Sequence, residues 1–129
     1  MVISNKYLVT IFFYFLSFIV WSQEGKYPIK NFSPEDYKSG IQNIDFAQNR
    51  DMTLFVANNL GVLTFNGNDW KTHATNTGKK QRSLAFDEVS NKLYVGSQGE
   101  FGYFDKGWEY VSLIDLIPKD AQDFDEVWD

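Results

Sequence analysis

Apolar positions along the chain fall into two regimes. From Tyr7 to Trp21 (YLVTIFFYFLSFIVW) they form an unbroken, uncharged run behind Lys6; beyond it they come in short bursts separated by polar turns, and none keeps helical spacing over more than about two turns. The first regime predicts an N-terminal hydrophobic signal helix. Its 15 residues fall short of the roughly 20 that span ~30 Å of hydrocarbon. Val20 and Ser22 suit the −3 and −1 positions of a signal-peptidase site, which would leave Gln23 as the new N-terminus. The alternative is an uncleaved anchor whose missing length is made up by tilt or bilayer thinning. Either way, the rest of the chain is expected to be exported, to the periplasm or the periplasmic face of the inner membrane.

The second regime repeats. IDFAQNRDMTLFVANNLGVLTFNGNDW (Ile44 to Trp70) and SLAFDEVSNKLYVGSQGEFGYFDKGW (Ser83 to Trp108) follow one template, with Leu54, Phe55 and Val56 matching Leu93, Tyr94 and Val95. Matching Gly61 to Gly102 stretches that offset and suggests a small loop insertion. Each unit predicts four strands: Ile44 to Phe46, Leu54 to Ala57, Val62 to Phe65 and Trp70 to Thr72, then Leu84 to Phe86, Leu93 to Val95, Phe101 to Phe104 and Trp108 to Val111. Asn66-Gly67 predicts a type I′ hairpin turn, because that turn needs positive φ at both central positions. Lys106-Gly107 is its weaker counterpart. Ile114 to Ile117 suits a single helical turn, and Val127-Trp128 reads as the first strand of a third unit.

Four strands in about 40 residues is the period of a propeller blade. The expected fold is therefore all-β: an incomplete β-propeller of about two four-stranded blades plus the start of a third, behind the signal helix. The predicted boundaries are 1–22 for the signal peptide, 23–40 for an extended segment and turn, 41–78 and 79–122 for the blades, and 123–129 for the third. Two blades and a stub cannot close a ring, so the chain reads as the N-terminal part of a larger protein. Tyr27 to Phe32 would supply a closing strand.

Composition narrows the chemistry. The 129 residues are 43% hydrophobic, 22% charged and 18% aromatic, too apolar for a disordered chain. With no cysteine and one histidine, disulfides, thiolate zinc sites and multi-histidine metal clusters are excluded, and no cofactor is implied. A net charge of −5 provides no footprint for a nucleic-acid backbone.

Lys26 to Trp70, with NLGVLTFNG, and Leu93 to Phe104, with YVGSQGEFGY, resemble the start of the periplasmic sensor in two-component-regulator propeller proteins. The nearest version carries a triple-tyrosine-motif domain after the propeller. That resemblance implies bacterial signal transduction or transcription regulation, with a transmembrane helix and a histidine kinase or helix-turn-helix output in later parts of the protein. On this reading the chain is a non-catalytic binding module for a small ligand such as a carbohydrate. Its other partners are the remaining blades, and it meets a membrane only through the signal segment. The rival class is an exported propeller-fold carbohydrate-active enzyme whose two carboxylates lie partly in later blades.

Propeller ligands usually sit over the central channel, which places the candidate site at the corners Asn58 to Gly61 and Ser97 to Phe101. Asn58, Asn59, Gln98 and Glu100 are the candidate ligand-binding residues, by analogy with the fold. His73 reads as a solvated edge residue, and Trp70 and Trp108 as equivalent packing positions between blades. Gly96, Gly99 and Gly102 fit blade turns better than a phosphate loop. Asp115, Asp120, Asp123, Asp125, Glu126 and Asp129 form a solvated acidic stretch without EF-hand spacing. Ser33-Pro34-Glu35-Asp36 predicts a helix start with Ser33 as N-cap and Pro34 at N1.

Overall fold

The computed structural model describes residues 27–75 and 77–128, together with Tyr7, Val9, Phe12, Tyr14 and Gly25. The chain divides into two compact units, Met1–Lys30 and Asn31–Asp129. In the first, Tyr7, Val9, Phe12 and Tyr14 are helical and exposed; the signal-peptidase site lies outside the described residues. No helix among the described residues is long and apolar enough to cross a membrane. Tyr27 to Phe32 forms no strand, and Tyr27 is 90% exposed.

The second unit opens with the short helix α1 (Pro34–Tyr37). Ser33 takes the extended N-cap conformation, and the Asp36 carboxylate accepts a hydrogen bond from the Ser33 N–H at 2.7 Å. Eight strands follow: β1 (Asn43–Gln48), β2 (Leu54–Asn58), β3 (Gly61–Phe65), β4 (Trp70–His73), β5 (Gln81–Asp87), β6 (Lys92–Ser97), β7 (Glu100–Phe104) and β8 (Tyr110–Ser112). They form two antiparallel four-stranded sheets, ordered β1-β2-β3-β4 and β5-β6-β7-β8. The protein is thus mainly β, each sheet a meander whose alternating residues divide between two faces.

Register corrects two expectations about the repeat. Asn58 pairs with Gly61 as Ser97 pairs with Glu100, so the offset that matches Leu54 to Leu93 runs unbroken as far as Phe65 and Phe104, and Gly61 corresponds to Glu100 rather than Gly102. The insertion lies further on: four residues separate the paired Phe65 and Trp70, whereas five separate Phe104 and Tyr110. Trp108 therefore lies in the β7–β8 loop, outside the strand predicted from Trp108, at φ 61. The Asn66-Gly67 turn is also recentred. Asn66 N–H bonds to Asp69 O, leaving Gly67 and Asn68 as the central pair; positive φ is confined to Gly67, as in a II′ turn, while Asn66 Oδ1 accepts from the Asn68 and Asp69 N–H groups.

The main core lies between the sheets. Phe55, Ala57 and Val62 of the first meet Leu84, Leu93, Val95 and Phe104 of the second, all buried. Each large side chain among them contributes about 1.5–3 kcal/mol by leaving water. Two hydrogen bonds cross the same interface, from Leu84 N–H to Asp45 Oδ2 and from Arg50 N–H to Glu88 Oε1, each 2.7 Å. The opposite face of the first sheet, with Leu54, Val56, Leu63 and Trp70, is covered by Phe32 and Tyr37.

These contacts are head-to-tail. The face of sheet one that touches sheet two carries Phe55, Ala57 and Val62, whose counterparts in the next repeat are Tyr94, Gly96 and Phe101. Those counterparts lie on the second sheet's outer face, where they line a shallow groove with Ser83, Ala85 and Val127, and Tyr94 is 37% exposed. Conversely, Leu93, Val95 and Phe104, which face the first sheet, correspond to Leu54, Val56 and Phe65.

Beyond β8, Ile114–Leu116 and Lys119–Ala121 form two 3₁₀ turns, and Gln122 Nε2 donates to the carbonyls of Ile114 and Ile117. The predicted strand at Val127-Trp128 is instead a single bridge between Glu126 and Gln98. It is reinforced by hydrogen bonds from Val127 N–H to Ser97 O and from Gly99 N–H to Asp125 O.

Candidate functional site

At the corner end, each sheet buries a polar knot that ties down the segment entering it. The Asn58 amide is 0% exposed and makes five hydrogen bonds. Oδ1 accepts from Ser39 Oγ and from the Gly40 and Leu60 N–H groups, while Nδ2 donates to Gly40 O and Asn43 Oδ1. In the second sheet Ser97 Oγ donates to Gln81 Oε1, and Gln81 Nε2 donates to Thr75 Oγ1 and Lys79 O. Asn43 and Gln81 occupy matching places, each followed by a β-bulge.

The four expected ligand residues differ in burial. Asn58 spends its amide inside the fold. Glu100 is buried and accepts from Ser112 Oγ and Tyr110 Oη. Burial, reinforced by that carboxylate, holds the Tyr110 phenol well above its ordinary value. Asn59 is half-buried, its Oδ1 enclosed without a hydrogen-bond partner among the described residues and pressed so closely on Gly40 that no Cβ fits there. Gln98 alone of the four is exposed. Asn58 and Glu100 are thus bonded within the fold, and no hydrogen bond among the described residues joins one corner to the other.

The opposite end holds what sequence reasoning missed. Between the sheets, where the β1–β2, β3–β4, β5–β6 and β7–β8 turns gather, lies a cleft of about 360 Å³. Its inner wall is Phe55, Thr64 and His73 from one sheet and Phe86, Phe104 and Trp108 from the other; Asn49, Asn66, Asp69, Lys71, Asn91 and Asp105 stand around it.

His73, expected to be a solvated edge residue, is half-buried in this wall. Its ring stacks on Trp108, and Nε2 lies 3.1 Å from Thr64 Oγ1. Burial, with a smaller contribution from the Lys71 ammonium, pushes its pKa down to about 4, so the imidazole is neutral at neutral pH. Trp70 and Trp108 are not equivalent. Trp70 opens β4 and packs on Phe65, Phe32 and Tyr37, on the face away from the second sheet. Trp108 wedges between the sheets against Phe55, Phe104 and His73. The clue in the sequence was Trp108 itself, which has no counterpart once the repeats are aligned on Phe65 and Phe104.

Other candidates resolve locally. Of the three glycines assigned to turns, Gly99 alone sits in one; Gly96 and Gly102 lie inside β6 and β7. A Cβ on Gly96 would run into Ser83 Oγ and Val127 O. In the acidic stretch Asp115, Asp120, Asp123 and Asp125 are exposed, but Glu126 pairs with Arg82 at 2.7 Å; Asp129 lies outside the described residues. No metal-holding cluster occurs among the described residues. Compared with protein families, curated proteins and solved structures, the chain matches none.

Proposed function

We propose that the two sheets are successive blades of a β-propeller serving as the extracytoplasmic ligand sensor of a two-component-type regulator, a binding module without chemistry of its own. One observation carries the propeller reading: the interface is heterologous, and the face that sheet one presents to sheet two recurs, one repeat on, as the outer face of sheet two. An element that packs front to back can be stacked again with the same contacts. Asp45 of the first sheet reaches the Leu84 N–H, and Ser83, in the matching place of the second, reaches Val127 O. This supports Asp125 to Trp128 as the approach to a further blade. The sensor role rests on the resemblance of NLGVLTFNG and YVGSQGEFGY to that group.

The test is to follow the same reading frame beyond Asp129 and to fractionate the cells that express it. Further repeats of similar length, then a membrane span and a kinase or helix-turn-helix module, are the expected outcome. A terminus directly after the last repeat, with polysaccharide-cleaving activity, would replace the sensor with an exported enzyme.

A further inference from the structure

We infer that the cleft between the sheets binds a neutral saccharide of one or two rings. The choice of a saccharide deepens the sensor reading and rests on it, whereas the cleft itself is lined by residues of both sheets. Its volume of about 360 Å³ lies near the small end of the roughly 300–1,000 Å³ typical of ligand sites. Its wall offers partly exposed aromatic surface in Phe86 and Trp108, backed by the buried Phe104, and the CH-bearing face of a pyranose ring packs well on such surface. His73, neutral in its stack, adds another ring without a buried charge.

The mouth supplies directional groups already held in place. Asn66 and Asp105 each use Oδ1 to accept backbone N–H groups of their own turns, which fixes the side chain. Nδ2 of Asn66 and Oδ2 of Asp105 make no hydrogen bond among the described residues, so a donor and an acceptor are left for hydroxyls at little ordering cost. Asn91 and Lys71 add further hydrogen-bonding groups. The carboxylates of Asp51, Asp69 and Asp105 are nearly balanced by the ammonium groups of Lys71 and Lys106, a mixture that favours neither a phosphate nor a polycation. The strained backbone at Trp108, φ 61 in a bulky residue, recurs where a fold holds a side chain for a purpose.

The full chain should be titrated with maltose, cellobiose, xylobiose and diacetylchitobiose, with glucose 6-phosphate and spermidine as charged probes. Binding is followed by calorimetry and tryptophan fluorescence. At least one neutral disaccharide is expected to saturate with millimolar or tighter affinity. Asn91→Gly, which suits the left-handed backbone at that position, and Lys71→Ala, both at exposed positions, should weaken it about tenfold or more while melting close to the wild-type temperature. Trp108→Phe should keep more of the affinity than Trp108→Ala. The inference fails if none of the four disaccharides saturates up to its solubility limit. It fails equally if Asn91→Gly and Lys71→Ala bind as well as the wild type, or if a charged probe binds more tightly than every sugar.

Discussion

The imidazole of His73 lies face to face with the indole of Trp108, ring centroids 3.7 Å apart and planes 17° from parallel, although the two come from different sheets. One edge of the imidazole meets Thr64 Oγ1, and Phe104 approaches edge-on. Protonation would place a charge in this half-buried stack, beside Lys71, which is why the folded protein resists it.

Stability should therefore fall on acidification. The unfolded histidine takes a proton near its ordinary pKa of about 6.5, whereas the folded one takes it only near 4. Below about 6.5 the unfolded state binds more protons, so stability declines as pH falls toward 4 and levels off below it as far as this group is concerned. The loss is expected to be about 1–2 kcal/mol once solvent screening of a half-buried group is allowed for. Urea denaturation across that range should reveal it as a component that His73→Gln removes; an equal slope in the variant would contradict the assignment.

At Trp108 the usual order of Ala and Gly should invert. Its backbone is left-handed, a conformation costing an ordinary residue roughly 1–2 kcal/mol that glycine escapes. Both truncations lose the packing on Phe55, Phe104 and His73, about 2–4 kcal/mol for a partly buried indole. Trp108→Gly should nonetheless be about 1 kcal/mol more stable than Trp108→Ala. Chemical denaturation of the two variants decides it, and a less stable glycine variant would mean that the backbone relaxes.

Asn58→Ala should cost about 3 kcal/mol, because it strands several backbone groups at once around Gly40 and Leu60. Asn58→Asp keeps the acceptor but turns a carboxylate oxygen toward Gly40 O and Asn43 Oδ1, so it should also destabilise, and less so at low pH. Gln98→Ala, at an exposed side chain, should stay within about 0.5 kcal/mol of wild type. Thermal melts of the three variants provide the comparison.

Gly96→Ala should release the C-terminal segment and leave the sheets intact. Val127 O and Ser83 Oγ occupy the space a methyl would need. Hydrogen exchange at the Val127 amide, bonded to Ser97 O, should accelerate, while amides of β2 and β3 keep their protection. Unchanged exchange at Val127 would show that the segment shifts without detaching.

The strands were legible from composition: Leu54 to Ala57 and Leu93 to Val95 each announce a strand by β-branched and aromatic content, and β2 and β3 are largely apolar because both faces of their sheet are covered. Register was harder to read. Gly61 and Gly102 look alike as letters, but the first closes a corner and the second sits where Tyr110 crosses β7. Asn58 looked like a ligand group because a polar residue at a corner is usually solvated; nothing local in the sequence shows that Ser39 and Gly40 fold back over it. His73 was misread because its partner, Trp108, is distant in sequence and reaches it through an extra loop residue whose effect appears only when both sheets are placed together.

The front-to-back equivalence of the sheets bears on how such a chain changes length over generations. A duplicated unit presents to its parent the same strand positions that the parent presents to the next, Phe55, Ala57 and Val62 on one and Tyr94, Gly96 and Phe101 on the other. Inserting or deleting one whole unit, from a point in one sheet to the matching point in the next, therefore requires no newly invented interface. A partial unit would strand one half of a matched pair of surfaces. Gains and losses in descendants of this gene are expected to come in whole modules, with variation within a module confined to the turns, as the single residue added before Tyr110 already illustrates.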